Sequence, residues 1–257
     1  MSLTLRQICL VAAELKPVLE DLVAILGVDV CYVDPHVEIF EVENSLLPVG
    51  TNFIEVVAPV RDNTAAGRYL ERRGGDGGYM IIAQAGSAEY QKTCRRRADK
   101  MGIRVAWEAA HDTGNYMQFH PADTGGSFFE LDWDDNNDHQ GNWPPAGGTG
   151  WESFVNTDIV RTIKAAELQS PDPDTLAKRW SAITDIPIQR NAAGQPELQL
   201  NNAAIRFADA TDGRGEGLSA IDIEVIDAQQ MLQVAQKRGL RTSDAQVIIC
   251  GTRFNLI

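Results

Sequence analysis

The sequence predicts an α+β fold of tandem domains, each made of two βαβββ modules that form a mixed sheet. One observation is a repeat, because a short apolar strand, an amphipathic helix and further short strands recur along the chain. Another is that glycines stand where the helices of these repeats are expected to end. A third is size, since 257 residues with 44% hydrophobic content can build the cores of two ordinary domains.

The first module begins with a predicted strand over residues 6–12. The apolar residues after it recur at helical spacing, and Gly27 favours the end of that helix. Turn-forming residues then separate three predicted strands, which span residues 37–42, 45–49 and 52–57.

The second module repeats this order. Its first predicted strand spans residues 79–83, and the helix that follows is expected to end near Gly102. Its final motif, Phe128-Phe129-Glu130-Leu131, is similar to the motif Phe53-Ile54-Glu55-Val56 at the end of the first module. The other predicted strands of this module lie near residues 104–107, 116–120 and 127–133.

No periodicity is visible in residues 134–150, where prolines, glycines and asparagines are frequent. Such a stretch is typical of a linker. We therefore predict an N-terminal domain over residues 1–133, which carries the candidate site, and a C-terminal domain over residues 151–257.

The C-terminal domain repeats the pattern twice more. In the third module a strand over residues 162–168 precedes a helix that Asp172 can cap. In the fourth a strand over residues 218–226 precedes a helix that Asp227 can cap. The strands predicted to complete these modules span residues 197–200, 204–208, 246–250 and 253–257.

The amino-acid composition argues against some classes of binding partner. The chain has 36 acidic and 23 basic residues, and its formal net charge of -13 would repel a phosphate backbone, so nucleic acid is not an expected partner. No apolar run approaches the roughly 18 residues of a membrane span, and the first residues lack the layout of a signal peptide. The four cysteines are far apart, which favours reduced, buried thiols. We therefore predict a cytoplasmic protein that binds no membrane.

Three segments of the N-terminal half carry a resemblance to a known family. They read Phe53-Ile54-Glu55-Val56-Val57-Ala58-Pro59, Thr64-Ala65-Ala66-Gly67-Arg68-Tyr69-Leu70-Glu71-Arg72-Arg73-Gly74-Gly75 and Phe119-His120-Pro121-Ala122-Asp123-Thr124-Gly125-Gly126-Ser127-Phe128-Phe129-Glu130-Leu131. With the paired modules, they resemble the vicinal oxygen chelate superfamily, which includes glyoxalase I, extradiol dioxygenases, bleomycin-resistance proteins and methylmalonyl-CoA epimerase. The N-terminal half is most similar to the epimerase, and the C-terminal half matches in pattern. The resemblance implies that each domain is a cupped mixed sheet.

The resemblance also implies a metal site. In this superfamily each module supplies one ligand from its first strand, usually His, and one from its last strand, usually Glu, and the bound divalent ion stabilises an enolate of the substrate. The matching positions are Gln7 and Glu55 in the first module, and Tyr79 and Glu130 in the second. Both histidines are absent, which weakens the case for a divalent ion on Gln7, Glu55 and Glu130. An amide oxygen is a weak ligand, and a tyrosine hydroxyl binds mainly when it is deprotonated.

The sequence offers no further cofactor site. At the matching positions of the C-terminal domain stand Ala165, Arg206, Ala220 and Asn255, which implies a structural domain or a second binding cup without chemistry. Residues 74–78 are rich in glycine but precede a strand, whereas phosphate-binding loops follow a strand and open a helix. No nucleotide cofactor is therefore expected.

Glu55 and Glu130 are the predicted catalytic residues. Two carboxylates that face one cavity can remove a proton next to a carbonyl and return it from the other side. The alternative is a pair of strand-end glutamates that face solvent. Tyr79 either donates a hydrogen bond to a substrate oxyanion or is an ordinary strand residue. His120 either lines the substrate cavity or is a solvated residue beside a turn.

Two functions remain open. One is an enzyme of the epimerase, isomerase or lyase type that acts beside a carbonyl, with or without a divalent metal. The other is a non-catalytic small-molecule binder of the bleomycin-resistance type. The expected ligand is a carbonyl compound or an acyl-CoA, and the basic run Arg95-Arg96-Arg97 either meets the phosphates of the latter or is a solvated helix face. Both a single chain and an oligomer are compatible with the sequence.

Overall fold

A computed structural model describes residues 3–257, and within that range it contains 15 β-strands in two mixed sheets and five α-helices. The predicted α+β class is therefore confirmed. None of the helices in this range is both long and apolar enough to cross a membrane.

The secondary structure follows the chain as two successive groups of strands and helices. The first sheet and its helices comprise β1 (Leu3–Val11), α1 (Leu15–Leu26), β2 (Val42–Val49), β3 (Asn52–Pro59), α2 (Ala65–Arg73), β4 (Gly77–Ala85), α3 (Ala88–Lys100), β5 (Val105–His111), β6 (Gly114–Phe119) and β7 (Phe128–Asp134). The second sheet and its helices comprise β8 (Val160–Ser170), α4 (Pro173–Thr184), β9 (Ile188–Arg190), β10 (Pro196–Gln199), β11 (Ala204–Asp209), β12 (Gly217–Val225), α5 (Ala228–Lys237), β13 (Arg241–Ser243), β14 (Gln246–Ile249) and β15 (Thr252–Leu256).

One pairing rule recurs in all four modules. The first strand pairs in parallel with the last strand, and the last strand pairs antiparallel with the strand before it in sequence. The resulting sheet orders are β2-β3-β1-β4-β7-β6-β5 and β13-β14-β15-β12-β8-β11-β10-β9. This repetition is what the sequence pattern predicts, and it fixes which side chains lie next to one another on each sheet.

The first module differs from its prediction in one place. The strand predicted at residues 37–42 is wrong for most of that stretch, since Pro35–Phe40 is a short 3₁₀-helix. Asp34 accepts a hydrogen bond from the His36 amide at 2.9 Å, and Pro35 occupies the first helical position, so local capping outweighs the β-propensity of the apolar residues. What remains of the missing strand is an isolated bridge between Tyr32 and Leu46.

The predicted helix signals are confirmed at several termini. Gly27 ends α1 in a left-handed conformation with φ 69°. Asp172 accepts a hydrogen bond from the Thr175 amide at the start of α4, and Asp227 accepts one from the Gln230 amide at the start of α5. These side chains satisfy amides that a helix leaves without an internal partner.

The chain divides into two compact units, each assembled from three segments. Of the residues that the structure describes, the first compact unit comprises 3–6, Tyr79–His139 and Ala165–Leu218, which include most of the second and third modules. The second compact unit comprises the remaining segments, which include most of the first and fourth modules and residues of the predicted linker: Gln7–Gly78, Gln140–Lys164 and Ser219–Ile257. The boundaries predicted at residues 133 and 151 stay a prediction.

An aromatic cluster forms the core of the first compact unit. The Trp180 ring on α4 lies 4.4 Å from the Phe129 ring and 6.1 Å from the Phe207 ring, measured between centroids. The indole N–H of the fully buried Trp180 donates to the Thr124 carbonyl at 3.1 Å. These ring contacts and this hydrogen bond together fix α4 against Phe129 of β7, Phe207 of β11 and the segment that carries Thr124.

We expect Trp180→Ala to lower the free energy of unfolding by about 3–5 kcal/mol, because it removes a fully buried aromatic ring and leaves a cavity. Urea denaturation followed by circular dichroism measures the loss. Phe154→Ala is the matched control, since Phe154 is 43% exposed and the change should cost less than about 1 kcal/mol. Equal losses in the two variants would contradict this account of the core.

Candidate functional site

Glu55 lies in the middle of β3, next to Cys9 of β1 and Leu46 of β2 in the sheet register. Its side chain is buried, and both carboxylate oxygens accept hydrogen bonds. Asn44 Nδ2 donates to Oε1 at 2.6 Å, and Gln7 Nε2 donates to Oε2 at 2.8 Å. The carboxyl group therefore faces the protein interior and not solvent.

Burial raises the pKa of Glu55 above the usual glutamate value, while the hydrogen bonds from Asn44, Cys9 and Gln7 act in the opposite direction. Burial is the larger effect. Glu55 therefore holds a proton to a higher pH than an exposed glutamate does.

The other end of the Gln7 amide is also engaged. Gln7 Oε1 accepts a hydrogen bond from Nε1 of Trp143 at 3.1 Å, and Trp143 is fully buried. Trp143 belongs to a segment over residues 143–151, here called the Trp143 strap. Its residues Trp143, Ala146 and Trp151 are buried, so the strap is packed against the first module through these side chains.

The first module does not fit the metal that the resemblance implies. A cation needs free oxygen donors, but both oxygens of Glu55 and the oxygen of Gln7 already accept hydrogen bonds. Across residues 3–257, no group of three or more His, Cys, Asp or Glu side chains is placed to hold a metal ion. The donor set of this chain is therefore unsuited to the ion.

Glu130 lies on β7 in the first compact unit. Its register neighbours are Ile82 on β4 and Gln118 on β6. Gln118 Nε2 donates to Glu130 Oε2 at 2.6 Å, and the Glu130 side chain is 8% exposed. Like Glu55, Glu130 is an inward-facing carboxyl held by an amide from a neighbouring strand.

Asp132 is the functional candidate that sequence reasoning missed. It lies two residues after Glu130 on the same face of β7 and is fully buried. Within residues 3–257, neither of its carboxyl oxygens has a donor in hydrogen-bonding geometry. Burial, followed by the charge of Glu130, raises the pKa of Asp132 well above the ordinary aspartate value. The alternation of Phe128, Glu130 and Asp132 within the strand predicted at residues 127–133 could have revealed it.

A buried polar network adjoins these two carboxyls. Gln84, the register neighbour of Asp132, donates to Asp134 at 2.8 Å and accepts a hydrogen bond from the fully buried Arg6 at 2.9 Å. Burial lowers the pKa of Arg6 to about 10, although Asp138 and Asp134 act against that change. We call Gln84, Gln118, Glu130 and Asp132 the Glu130 face, because their register places all four side chains on one side of the sheet.

The sheet register does not place Tyr79 at the position that matches Gln7. Gln7 lies two residues before Cys9, the register neighbour of Glu55. The same offset from Ile82, the neighbour of Glu130, gives Met80. The position assigned to Tyr79 from the family resemblance therefore differs by one residue from the position that the register gives. The difference matters because successive residues of a strand lie on opposite faces of the sheet.

The Tyr79 ring packs edge-on against Phe128 at 5.0 Å and is 9% exposed. His120 follows β6 and is half-buried, and its Nδ1 lies 3.2 Å from the Ala122 amide that donates to it. This bond is of the kind found in turns. The roles predicted for Tyr79 and His120 stay predictions.

Two of the four matching positions of the C-terminal half, Arg206 and Asn255, carry polar side chains that bond to their sheet neighbours, and the other two are Ala165 and Ala220. Arg206 on β11 contacts Glu167 on β8 at 2.8 Å. Asn255 on β15 donates to Asp222 on β12 at 2.7 Å. These contacts are typical of a sheet whose polar residues have become structural.

A cleft of about 250 Å³ lies beside α3 in the first compact unit and includes Arg95 and Arg96 among its lining residues. Arg95 forms ion pairs with Asp99 at 3.0 Å and Glu108 at 2.5 Å, and Arg96 forms one with Glu89 at 2.9 Å. These arginines are already paired with carboxylates, which favours the interpretation of the basic run as a solvated helix face.

The sequence matches no protein-family model and no curated protein. Solved structures do resemble it. A protein from Staphylococcus aureus described as hypothetical covers 100% of this chain and 99% of its own, with a TM-score of 0.65 and 14% identity. The Mn(II)-bound glyoxalase from Novosphingobium aromaticivorans covers 98% of this chain and 81% of its own, with a TM-score of 0.67 and 12% identity. Methylmalonyl-CoA epimerase from Mycobacterium tuberculosis matches 51% of this chain and 87% of its own, with a TM-score of 0.43 and 20% identity.

The similarities over the whole chain show its fold. The chain has a glyoxalase-like fold, so the fold that the resemblance implies is confirmed. The bound manganese belongs to the Novosphingobium protein.

We expect no stoichiometric metal binding by this protein, because the oxygens of Gln7 and Glu55 are already hydrogen-bonded. Protein purified without chelators, soaked in manganese, cobalt or zinc salts and then desalted should retain well below one ion per chain in elemental analysis. A content near one ion per chain that is lost in Glu55→Ala would overturn this interpretation.

We expect Asp132→Asn to stabilise the protein as the pH rises. Asp132 keeps its proton to a higher pH in the folded state than in the unfolded state, so folding stability falls as the pH rises above about 4. The asparagine carries no charge and should be more stable than the wild type by about 1–3 kcal/mol at pH 8. Urea denaturation at pH 4 and pH 8 measures the difference, which should nearly vanish at pH 4. Asp135→Asn, which alters an exposed carboxylate, is the control and should show no such trend.

Proposed function

We propose that this protein binds a small molecule on the Glu130 face without a metal ion. The observation that carries the proposal is the buried Asp132 carboxyl beside Glu130. Within residues 3–257 no donor has hydrogen-bonding geometry to either Asp132 oxygen, and the Met117 amide and the Glu130 carboxyl are among the groups that act on its pKa. A buried polar group without a partner costs about 1–3 kcal/mol, and proteins retain such groups mainly where function requires them. A bound ligand that donates to Asp132 would remove this cost.

The chemistry of the face defines the class of ligand. Asp132 offers acceptor oxygens, and Glu130 has one oxygen that already accepts from Gln118. A ligand with hydroxyl, amine or amide donors is complementary to these groups. Carboxyl groups of Glu130, Asp132 and Asp134 lie at this face, and the nearby Arg6 is already engaged by Gln84 and the Asp138 carbonyl, so the face offers little to an anion. A small carbonyl compound that bears a hydroxyl or amine therefore suits the face better than an acyl-CoA with its phosphates.

The second candidate function is proton transfer next to a carbonyl. Glu130 and Asp132 are neighbouring buried carboxyls, and the charge of one raises the pKa of the other. One member of such a pair can hold a proton while the other accepts one. This candidate pairs Glu130 with Asp132, because both oxygens of Glu55, the partner predicted from the sequence, are occupied by amides.

The test uses hydroxyacetone and dihydroxyacetone as the simplest hydroxyketone probes, with titration calorimetry as the readout. Wild-type protein should bind at least one of them, and Asp132→Asn and Glu130→Gln should each weaken binding by about 10-fold, the effect of one hydrogen bond. Asp135→Asn should bind like the wild type. Binding that neither Asp132→Asn nor Glu130→Gln weakens would place the ligand elsewhere and contradict the proposal.

Deuterium exchange separates the two candidate functions. If the protein transfers protons, the probe should gain deuterium next to its carbonyl in heavy water faster with the wild type than with Glu130→Gln, as followed by proton NMR. If the protein only binds, the exchange rate should equal that of the probe alone while calorimetry still detects the complex.

A further inference from the structure

In the Trp143 strap, the indole ring of Trp143 lies against Gln7, a buried polar side chain of the first module. Nε1 of the fully buried Trp143 donates to Gln7 Oε1 at 3.1 Å, and Gln7 Nε2 donates to Glu55 at 2.8 Å. A chain of two hydrogen bonds therefore connects the strap to the buried carboxyl.

Two further contacts hold the strap on the first module. Gly147 has φ 75°, and a β-carbon at this position would lie 2.7 Å from the Tyr32 ring, so only glycine fits there. The Trp151 ring meets the Phe53 ring edge-on, with 4.9 Å between centroids. The strap is therefore shaped to this surface along its length and is not attached by Trp143 alone.

The orientation of the Gln7 amide determines which kind of chemical group can lie next to it. Gln7 and Asn44 each donate to one Glu55 oxygen, so Gln7 turns its NH₂ group toward Glu55. Gln7 Oε1 must then face Trp143, where it requires a hydrogen-bond donor. A ring without a donor would leave this buried oxygen unpaired, which is the basis of strong discrimination against such rings.

We propose that the first module holds a binding pocket for a planar aromatic ring with an N–H donor, and that Trp143 fills this pocket as a built-in ligand. A tethered group acts at high effective concentration, so the strap excludes external molecules from Gln7 and Glu55. The pocket lies in the second compact unit, and the inference does not depend on the function proposed for the Glu130 face.

Chemical rescue of Trp143→Gly tests the proposal, with free indole and 1-methylindole as probes. The variant should melt below the wild type, indole should raise its Tm by about 2–4 °C in a saturable manner, and 1-methylindole, which lacks the donor, should raise it much less. The wild type should not respond to indole, because its pocket is filled. In Trp143→Gly combined with Gln7→Leu, the two probes should act alike.

The proposal is overturned if neither probe stabilises Trp143→Gly, if both do so equally, or if the wild type responds to indole as strongly as the variant. Should Trp143→Gly not fold even in the presence of indole, Trp143→Phe and Gln7→Leu, alone and combined, decide the matter by urea denaturation. Recognition of the N–H group predicts that the combined variant loses less stability than the sum of the single losses. Additive losses would show that the ring only fills space.

Discussion

The parallel pairing between the first and last strand of each module determines how this protein is organised. In two parallel neighbouring strands, the side chains of register partners point to the same side of the sheet. Because all four modules use this pairing, each module has one equivalent position on its last strand. These positions hold Glu55, Glu130, Arg206 and Asn255. A shift of one residue in any pairing would turn the corresponding side chain to the other face and remove its hydrogen-bond partners.

The two glutamate positions deal with the cost of a buried carboxyl in opposite ways. Around Glu55 every acceptor has a donor, and a tryptophan completes the network. Beside Glu130, no donor within residues 3–257 has hydrogen-bonding geometry to the carboxyl of Asp132. The first arrangement contributes stability and specifies a single packing, whereas the second retains an unfavourable group that a ligand could satisfy. One glyoxalase-like sheet thus contains both a structural and a candidate functional version of the same position.

Local signals were sufficient to predict the modules, the α+β class and the helix termini at Gly27, Asp172 and Asp227, because capping and glycine conformations depend on neighbouring residues. The candidate site was predicted in part. Glu55 and Glu130 are inward-facing as expected, but Met80 and not Tyr79 matches Gln7, since strand register is set by long-range pairing. The Trp143 contact joins residues 136 apart in a stretch without periodicity, so no local pattern could have revealed it. The strand predicted at residues 37–42 is replaced by the short helix Pro35–Phe40, because Asp34 caps that helix and Pro35 occupies its first position.

The segmented build of the compact units has a consequence for synthesis on the ribosome. All the segments of the first compact unit have been translated once Leu218 is added, whereas the second requires Ser219–Ile257 as well. During that interval the strands of the first module lack the fourth module, with which they share a unit, and their apolar faces are exposed to chaperones and to other chains. Nascent protein should therefore pass through a half-folded state in which the Glu130 face is ordered and the residues around Glu55 are not yet fully packed. In this state the risk of aggregation is concentrated in residues 7–78.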